Sequence, residues 1–383
     1  MKRVWILVVL SVVMSVLPVG AAAASLNVGG KSTLLMDVAT GTVLHEANSH
    51  EKLAPASVTK VMTMLLIMEA IDSGKIGWED TVTASEAAAA KGGSQVYLKV
   101  GETMTVTDML KSIAVSSAND CACAMAEHIA GSEGAFVEQM NARAKELGME
   151  DTHFVNCTGL DDSPEAAQHR TSAHDIALMS RELMKHHPEI KKFTTIWMDT
   201  VRNGAFGLSN TNKMIRFYNG ATGLKTGFTS GAGYCLSATA EREGLELIAV
   251  VMGAESSQER FQTCKTMLDH GFASYALIQP ELADGPAEVN VKLGKQETVS
   301  ARLGNGEQML IDKQQRQSVT MEVQLEEVVS APVSQGQRLG TLTVRAGEQV
   351  LSQIPLVAAE AVERLSFWDL FAQVLKRAAM VGG

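Results

Sequence analysis

Three consecutive runs constrain the fold more than anything else in the chain: GATGLKTGF at 220–228, GYCLSATA at 233–240 and LELIAVVMGA at 245–254. Each has the length and the apolar content of a strand, and the connections between them are glycine-rich turns, the second being Arg242-Glu243-Gly244. Turns this short join antiparallel neighbours, so the three strands are adjacent in one sheet. Much earlier, STLLMDVATGTVLHEA at 32–47 reads as a hairpin with Gly41 at its turn. Between hairpin and strands the apolar period is helical, over 106–115, 120–129, 135–147 and 172–185, with Gly131 and Gly148 as stops. A further helix is expected over 258–276. A hairpin, a block of helices, three strands and a closing helix predict an α+β domain in which both chain ends contribute to one sheet.

From 280 to about 355 the helical period vanishes, and short alternating runs such as AEVNVKL, TMEVQLEEV and GTLTVRA predict a small all-β domain. It contains no constellation of reactive side chains, which points to a structural or spacing role. At the other end, Lys2 and Arg3 precede an apolar run over 4–19 and then AAAAS, the pattern of a signal peptide cleaved near Ala24. The run is shorter than the about 20 residues that a membrane span requires. The expected organisation is a signal peptide at 1–24, the α+β domain at 25–278, a β-sandwich-like domain at 279–360 and an amphipathic helix at 361–383. Export places the protein on the outer face of the cytoplasmic membrane or in the cell wall.

With 46% hydrophobic and 20% charged residues, a chain of 383 residues can bury a large core in more than one domain. Without Lys2 and Arg3, 31 basic residues face 43 acidic ones, a balance of −12, which argues against a nucleic-acid partner. The five cysteines show no disulfide or metal spacing and are expected to be small core residues. The nine histidines contain no H-E-x-x-H cluster, so neither metal nor cofactor is expected.

The chemistry begins at LAPASVTKVMTMLLIMEA, 53–70, where Ser57 and Lys60 lie three residues apart at the mouth of an apolar helix. That spacing puts both side chains on one face, and a serine needs a neighbouring base before it can attack. Alone the pattern is cheap, since SHEK at 49–52 matches it too. Two further elements follow in order: SAN at 117–119 and KTG at 225–227. Attack on an amide needs an activated nucleophile, a stabilised oxyanion, a held substrate and a proton for the leaving amine. Lys60 can be the base only if neutral, which burial and a nearby cation, Lys225, would favour. Ser117 is expected to pass a proton onward, and Asn119 to orient Lys60 and the substrate amide. Lys225 and Thr226 would bind a carboxylate, while Gly227 lets an extended peptide approach the strand edge. The backbone N–H groups of Ser57 and Phe228 would form the oxyanion hole.

At these residues the chain resembles the low-molecular-mass penicillin-binding proteins, serine-type D-alanyl-D-alanine carboxypeptidases of the peptidase S11 family. GGSQVYL, GLKTGFTSGAGYCLSATA and the β domain with its terminal helix look most like the sporulation-associated Gram-positive branch. The resemblance implies a penicillin-binding, serine β-lactamase-like fold. It further implies removal of the last D-alanine from the peptidoglycan pentapeptide through an acyl-serine, limiting cross-linking and shaping the wall, with β-lactams as covalent inhibitors. By the same carry-over Arg260, in SSQERF, looks like an arginine that helps bind the terminal carboxylate; its other reading is an ordinary helix-surface arginine. Two residues depart from the pattern: Ala118 stands where the S-G-N element has glycine, and Cys157, in FVNCTGL, where proline is usual.

Two other readings share these motifs. A serine β-lactamase would need a water-activating residue, and no E-x-x-L-N pattern lies between the second and third elements. A non-catalytic β-lactam sensor would need transmembrane helices to signal inward, and none follows the leader. In the tail, Phe367, Trp368, Phe371, Val374, Leu375 and Ala378 fall on one side of a helix, opposite Asp369, Gln373, Lys376 and Arg377. That arrangement suits attachment to a membrane surface, the alternative being packing on the β domain.

Overall fold

The computed structural model describes residues 26–282, 287–304, 306 and 308–372. The expected signal peptide lies outside the described residues. The hairpin, Ser32–Asp37 with Val43–Ala47, joins the three later strands in a five-stranded antiparallel sheet. Its spatial order is Val43–Ala47, Ser32–Asp37, Leu245–Ala254, Gly233–Arg242 and Ala221–Thr229. Both chain ends of the α+β unit therefore meet in the sheet's middle, where Leu35 pairs with Ala249.

Side chains alternate between faces along a strand, and here both faces are buried. Leu34, Met36, Ile248 and Val250 enter one core with the helical block; Leu35, Leu247, Ala249 and Val251 enter a second core beneath the helix Ser257–Ser274. The first core is built around the helix Lys60–Asp72, which is apolar all round and buried on nearly every side, as a helix with no polar face must be. Helices Val106–Ser116, Asn119–Ala130, Glu133–Glu146 and Ala173–His186 surround it, close to the expected spans. Gly41, Gly74, Gly131 and Gly148 all take positive φ where strand or helix turns back.

The helix expected to reach 276 stops at Ser274. Tyr275–Ile278 instead forms a strand paired with Met309–Asp312, tying the α+β unit to the all-β unit. Lys313 Nζ donates to the Phe272 carbonyl at 3.0 Å across the same junction. The all-β unit is a six-stranded sheet with its own core of Val289, Leu339, Leu342, Val344 and Leu356. Residues 361–366 belong to it rather than to the tail helix. Val362 bridges Val333, and Arg364 bridges Gly294. A helical turn begins only at Phe367, where Ser366 and Asp369 cap each other: the Asp369 N–H donates to Ser366 Oγ and the Ser366 N–H to Asp369 Oδ2. The rest of the expected tail helix lies outside the described residues.

Candidate active site

Ser57 sits on a single 3-10 turn, Ala56–Thr59, that runs directly into the helix carrying Lys60. Ala56 holds φ +47°, a left-handed conformation unfavourable for a residue with a Cβ. Ser57 is partly exposed, whereas Lys60 is fully buried. Lys60 Nζ lies 2.9 Å from Ser57 Oγ and 2.8 Å from the Thr158 carbonyl oxygen. Burial brings the Lys60 ammonium down to about 7. The Cys157 thiol nearby is pushed well above its ordinary range by hydrogen bonding with the Cys123 thiol and by burial, and so stays neutral; Asp120 is the anion that opposes the drop.

Ser117 ends the helix Val106–Ser116 in the left-handed region, at φ 64°, which turns its side chain away from that helix and toward the start of the next. Its Oγ is buried without a hydrogen-bond partner among the described residues. Ala118 keeps an ordinary φ of −58°, so its methyl group, fully buried, adds no backbone strain where glycine is usual. Asn119 Nδ2 donates to the Gly92 carbonyl at 2.7 Å, and its N–H to Ser94. Its Oδ1 is buried and has no partner among the described residues. The expected Asn119–Lys60 bond is absent: Lys60 is held by Ser57 and Thr158 instead. Asp120 explains why the GGSQVYL segment wraps this corner, since its buried carboxylate accepts the N–H groups of Val96 and Leu98.

Lys225, Thr226 and Gly227 lie on the outer strand of the sheet, Ala221–Thr229, with the Ser57 turn packed against its face at Gly227. Lys225 is buried, and burial together with the charges of Lys60 and Arg260 holds its ammonium well below the usual lysine range. The second cation expected beside Lys60 is thus present, although burial is the larger cause for both. Lys225 Nζ donates to the Thr226 carbonyl at 2.9 Å, and Thr226 Oγ1 donates to Thr211 Oγ1 at 2.7 Å. Gly227 has a nearer reason to lack a side chain than substrate approach. A Cβ there would stand 2.7 Å from the Pro55 carbonyl oxygen and 3.1 Å from the Val58 nitrogen, so the Ser57 turn itself occupies the space.

Phe228 is 54% exposed, with its ring 4.3 Å from that of Tyr234. Arg260 is not a surface arginine. It lies buried beneath the strand, its Nη1 donating to the Gly227 carbonyl at 2.9 Å, its guanidinium 5.3 Å from the Tyr234 ring, and its Nε without a partner among the described residues. It touches the site through the strand's main chain. Thr158 was not singled out in the sequence, because what it contributes is a carbonyl. The signal is the preceding Asn156, whose Oδ1 accepts from the N–H groups of Thr158 and Gly159 in an Asx turn. All five cysteines are buried with free thiols.

The family described as D-alanyl-D-alanine carboxypeptidase matches residues 19–256, and the C-terminal domain of penicillin-binding protein 5 matches residues 283–364. The D-alanyl-D-alanine carboxypeptidase DacF of Bacillus subtilis is 44% identical over 343 residues, covering 88% of this chain and 87% of the relative. Penicillin-binding protein 5 of Haemophilus influenzae superposes with a TM-score of 0.74 at 28% identity, over 89% of this chain and 99% of that one. Penicillin-binding protein D2 of Listeria monocytogenes, solved in its ampicillin-bound form, superposes with a TM-score of 0.59 at 31% identity, over 65% of this chain and 99% of that one.

Proposed function

Since this chain belongs to the D-alanyl-D-alanine carboxypeptidase family of serine peptidases, peptidase S11, we propose that Ser57 is its nucleophile and Lys60 the base that activates it. The protein is a D-alanyl-D-alanine carboxypeptidase acting on peptidoglycan peptides that end in D-Ala-D-Ala. The observation that carries the assignment is a fully buried lysine, near 7, at 2.9 Å from a partly exposed serine hydroxyl. Such a lysine is neutral in an appreciable fraction of molecules at neutral pH and can accept the hydroxyl proton.

Ser57 Oγ attacks the carbonyl carbon of the penultimate D-alanine, and Lys60 Nζ takes its proton. The oxyanion lies between the N–H groups of Ser57 and Phe228. As the carbon–nitrogen bond breaks, the proton passes from Lys60 through Ser117 Oγ to the departing amine of D-alanine. The unpaired Oδ1 of Asn119 accepts the substrate's amide N–H, and the side chains of Lys225 and Thr226 hold its terminal carboxylate. Arg260 braces the strand from below through Gly227. Water then attacks the acyl-serine, freeing the shortened peptide and Ser57. A β-lactam would acylate the same hydroxyl and leave slowly.

The leader over 1–24 would export the enzyme to the outer face of the cytoplasmic membrane, and residues 25–278 would form the catalytic domain. The domain over 279–360 would act as a spacer. The tail would attach the enzyme to the membrane surface, a reading supported by Phe367, Trp368 and Phe371, all exposed within one turn. The motif likeness supports a place in the sporulation-associated branch. Ser57→Ala should abolish both D-alanine release and covalent penicillin labelling, while Ser49→Ala keeps both. Intact-protein mass spectrometry decides, and an adduct persisting in Ser57→Ala removes the assignment.

A further inference from the structure

One buried histidine stands next to this machinery and has no part in the steps above. His169 is only 3% exposed, with its ring in a T-shaped pair with Phe154, and it is hydrogen-bonded at both nitrogens. The Val155 N–H donates to Nδ1 at 3.2 Å, so Nδ1 presents a lone pair and the ring proton belongs to Nε2. Nε2 lies 2.8 Å from Thr59 Oγ1 and donates to it. The threonine's own proton is then directed to the Ala56 carbonyl oxygen, also at 2.8 Å. Burial, with His153 and Arg170 adding to it, brings the ring down to about 4, which preserves this neutral tautomer at working pH.

The end of the chain of bonds is the peptide that precedes the nucleophile. The Lys60 N–H turns to Ser57 and Val58, so the Ala56 carbonyl has no α-helical partner, and besides its place in the 3-10 turn it is held by Thr59 Oγ1. Opposite lies Gly159, where any Cβ would overlap the Ala56 oxygen. The Ala56–Ser57 peptide is trans, and in a trans peptide the N–H points opposite to the preceding C=O. Fixing the Ala56 oxygen therefore fixes the direction of the Ser57 N–H, one of the two oxyanion donors. Ala56 at φ +47° gains nothing from its local conformation, so the orientation depends on what holds the oxygen.

We propose that His169 is a positioning residue for acylation, acting through Thr59 to hold the Ala56–Ser57 peptide with its N–H aimed at the developing oxyanion. The proposal rests on Ser57 being the nucleophile. An oxyanion donor acts in the transition state, and its misalignment lowers kcat more than it raises KM.

The test measures kcat and KM for D-alanine release from a diacyl-lysyl-D-alanyl-D-alanine peptide, with thermal midpoints recorded alongside. His169→Ala should lower kcat about tenfold or more with KM within about twofold. His169→Gln, whose amide can still donate to Thr59, should recover most of that loss. Thr59→Val should reproduce the His169→Ala phenotype, and the double variant should be no worse than the more damaged single. Additive losses, no rescue by glutamine, or full activity in Thr59→Val would each overturn the proposal. Thr59→Val and His169→Gln decide it even if His169→Ala does not fold. Penicillin labelling surviving in Ser57→Ala would instead remove the nucleophile assignment.

Discussion

Replacing Lys60 by methionine should destroy activity and stabilise the protein, by an amount that depends on pH. Lys60 is fully buried, and its ammonium falls from the ordinary 10.5 to about 7. The unfolded chain takes up this proton near 10.5, the folded one only near 7. Between those values the unfolded state binds more protons, so stability falls as pH falls. A drop of roughly 3.5 pH units at ~1.4 kcal/mol each gives about 5 kcal/mol when complete, with about 4 already lost at pH 7 and about 2 at pH 9. Methionine is similar in length and carries no proton. It forfeits the bonds to Ser57 and Thr158, a cost of about 1–3 kcal/mol that is the same at both pH values. Removing one cation also lets Lys225 take its proton more readily, which adds to the gain at low pH. The stabilisation by Lys60→Met should therefore be about 2 kcal/mol larger at pH 7 than at pH 9. Urea unfolding followed by the fluorescence of Trp78 and Trp197 measures the difference. An equal gain at the two pH values would mean that Lys60 is already protonated in the folded protein at both, and the general-base argument would fail.

In the parent, penicillin acylation should rise about tenfold per pH unit up to 7 and level off above it, because the neutral fraction of Lys60 does so; quenched labelling giving a flat profile from pH 5.5 to 8.5 counts against that role. Lys60→Arg, permanently charged, should lose at least about 100-fold in acylation rate. Gly227→Ala must push the strand away from Pro55 and should slow acylation about tenfold or more while the protein stays folded; an unchanged rate would mean that this close approach is dispensable. A chain ending at Leu365 keeps the bridges of Val362 and Arg364, so it should remain folded and active on soluble peptide yet stop co-sedimenting with anionic vesicles. Vesicle binding that survives the cut places the attachment elsewhere.

The sheet and its helices were legible because their apolar periods are long and their glycine stops fall where the backbone needs positive φ. The strand Tyr275–Ile278 was not, since four residues following a helix carry too little period to signal a change of structure. Ser57, Lys60, Ser117, Asn119 and Lys225 could be picked out by letter because the roles proposed for them are side-chain roles. The Thr158 carbonyl and the peptide at Ala56 could not, because main-chain groups leave no letter. Gly227 was found for an incomplete reason: its missing side chain makes room for another part of the same chain, which only the fold brings near. Arg260 shows the converse, a charged residue on a helix whose burial follows from tertiary packing alone.

The strand carrying Lys225 is the outermost of its sheet, nine residues long and open on one side. Sheet proteins usually blunt such an edge, because unpaired main-chain groups accept any strand offered, including the same strand of another molecule. In the proposed mechanism this edge is where peptide lies, so blunting it would remove that place. The turn at Pro55–Val58 presses instead on a face of this strand, so close to Gly227 that not even a methyl group fits between them. A Cβ points out of the sheet and not along its plane, so this contact limits how far the strand can shift toward the Ser57 turn and leaves the strand's edge open. The strand therefore carries a hazard that the turn does not remove: concentrated solutions of the protein should tend to associate edge to edge.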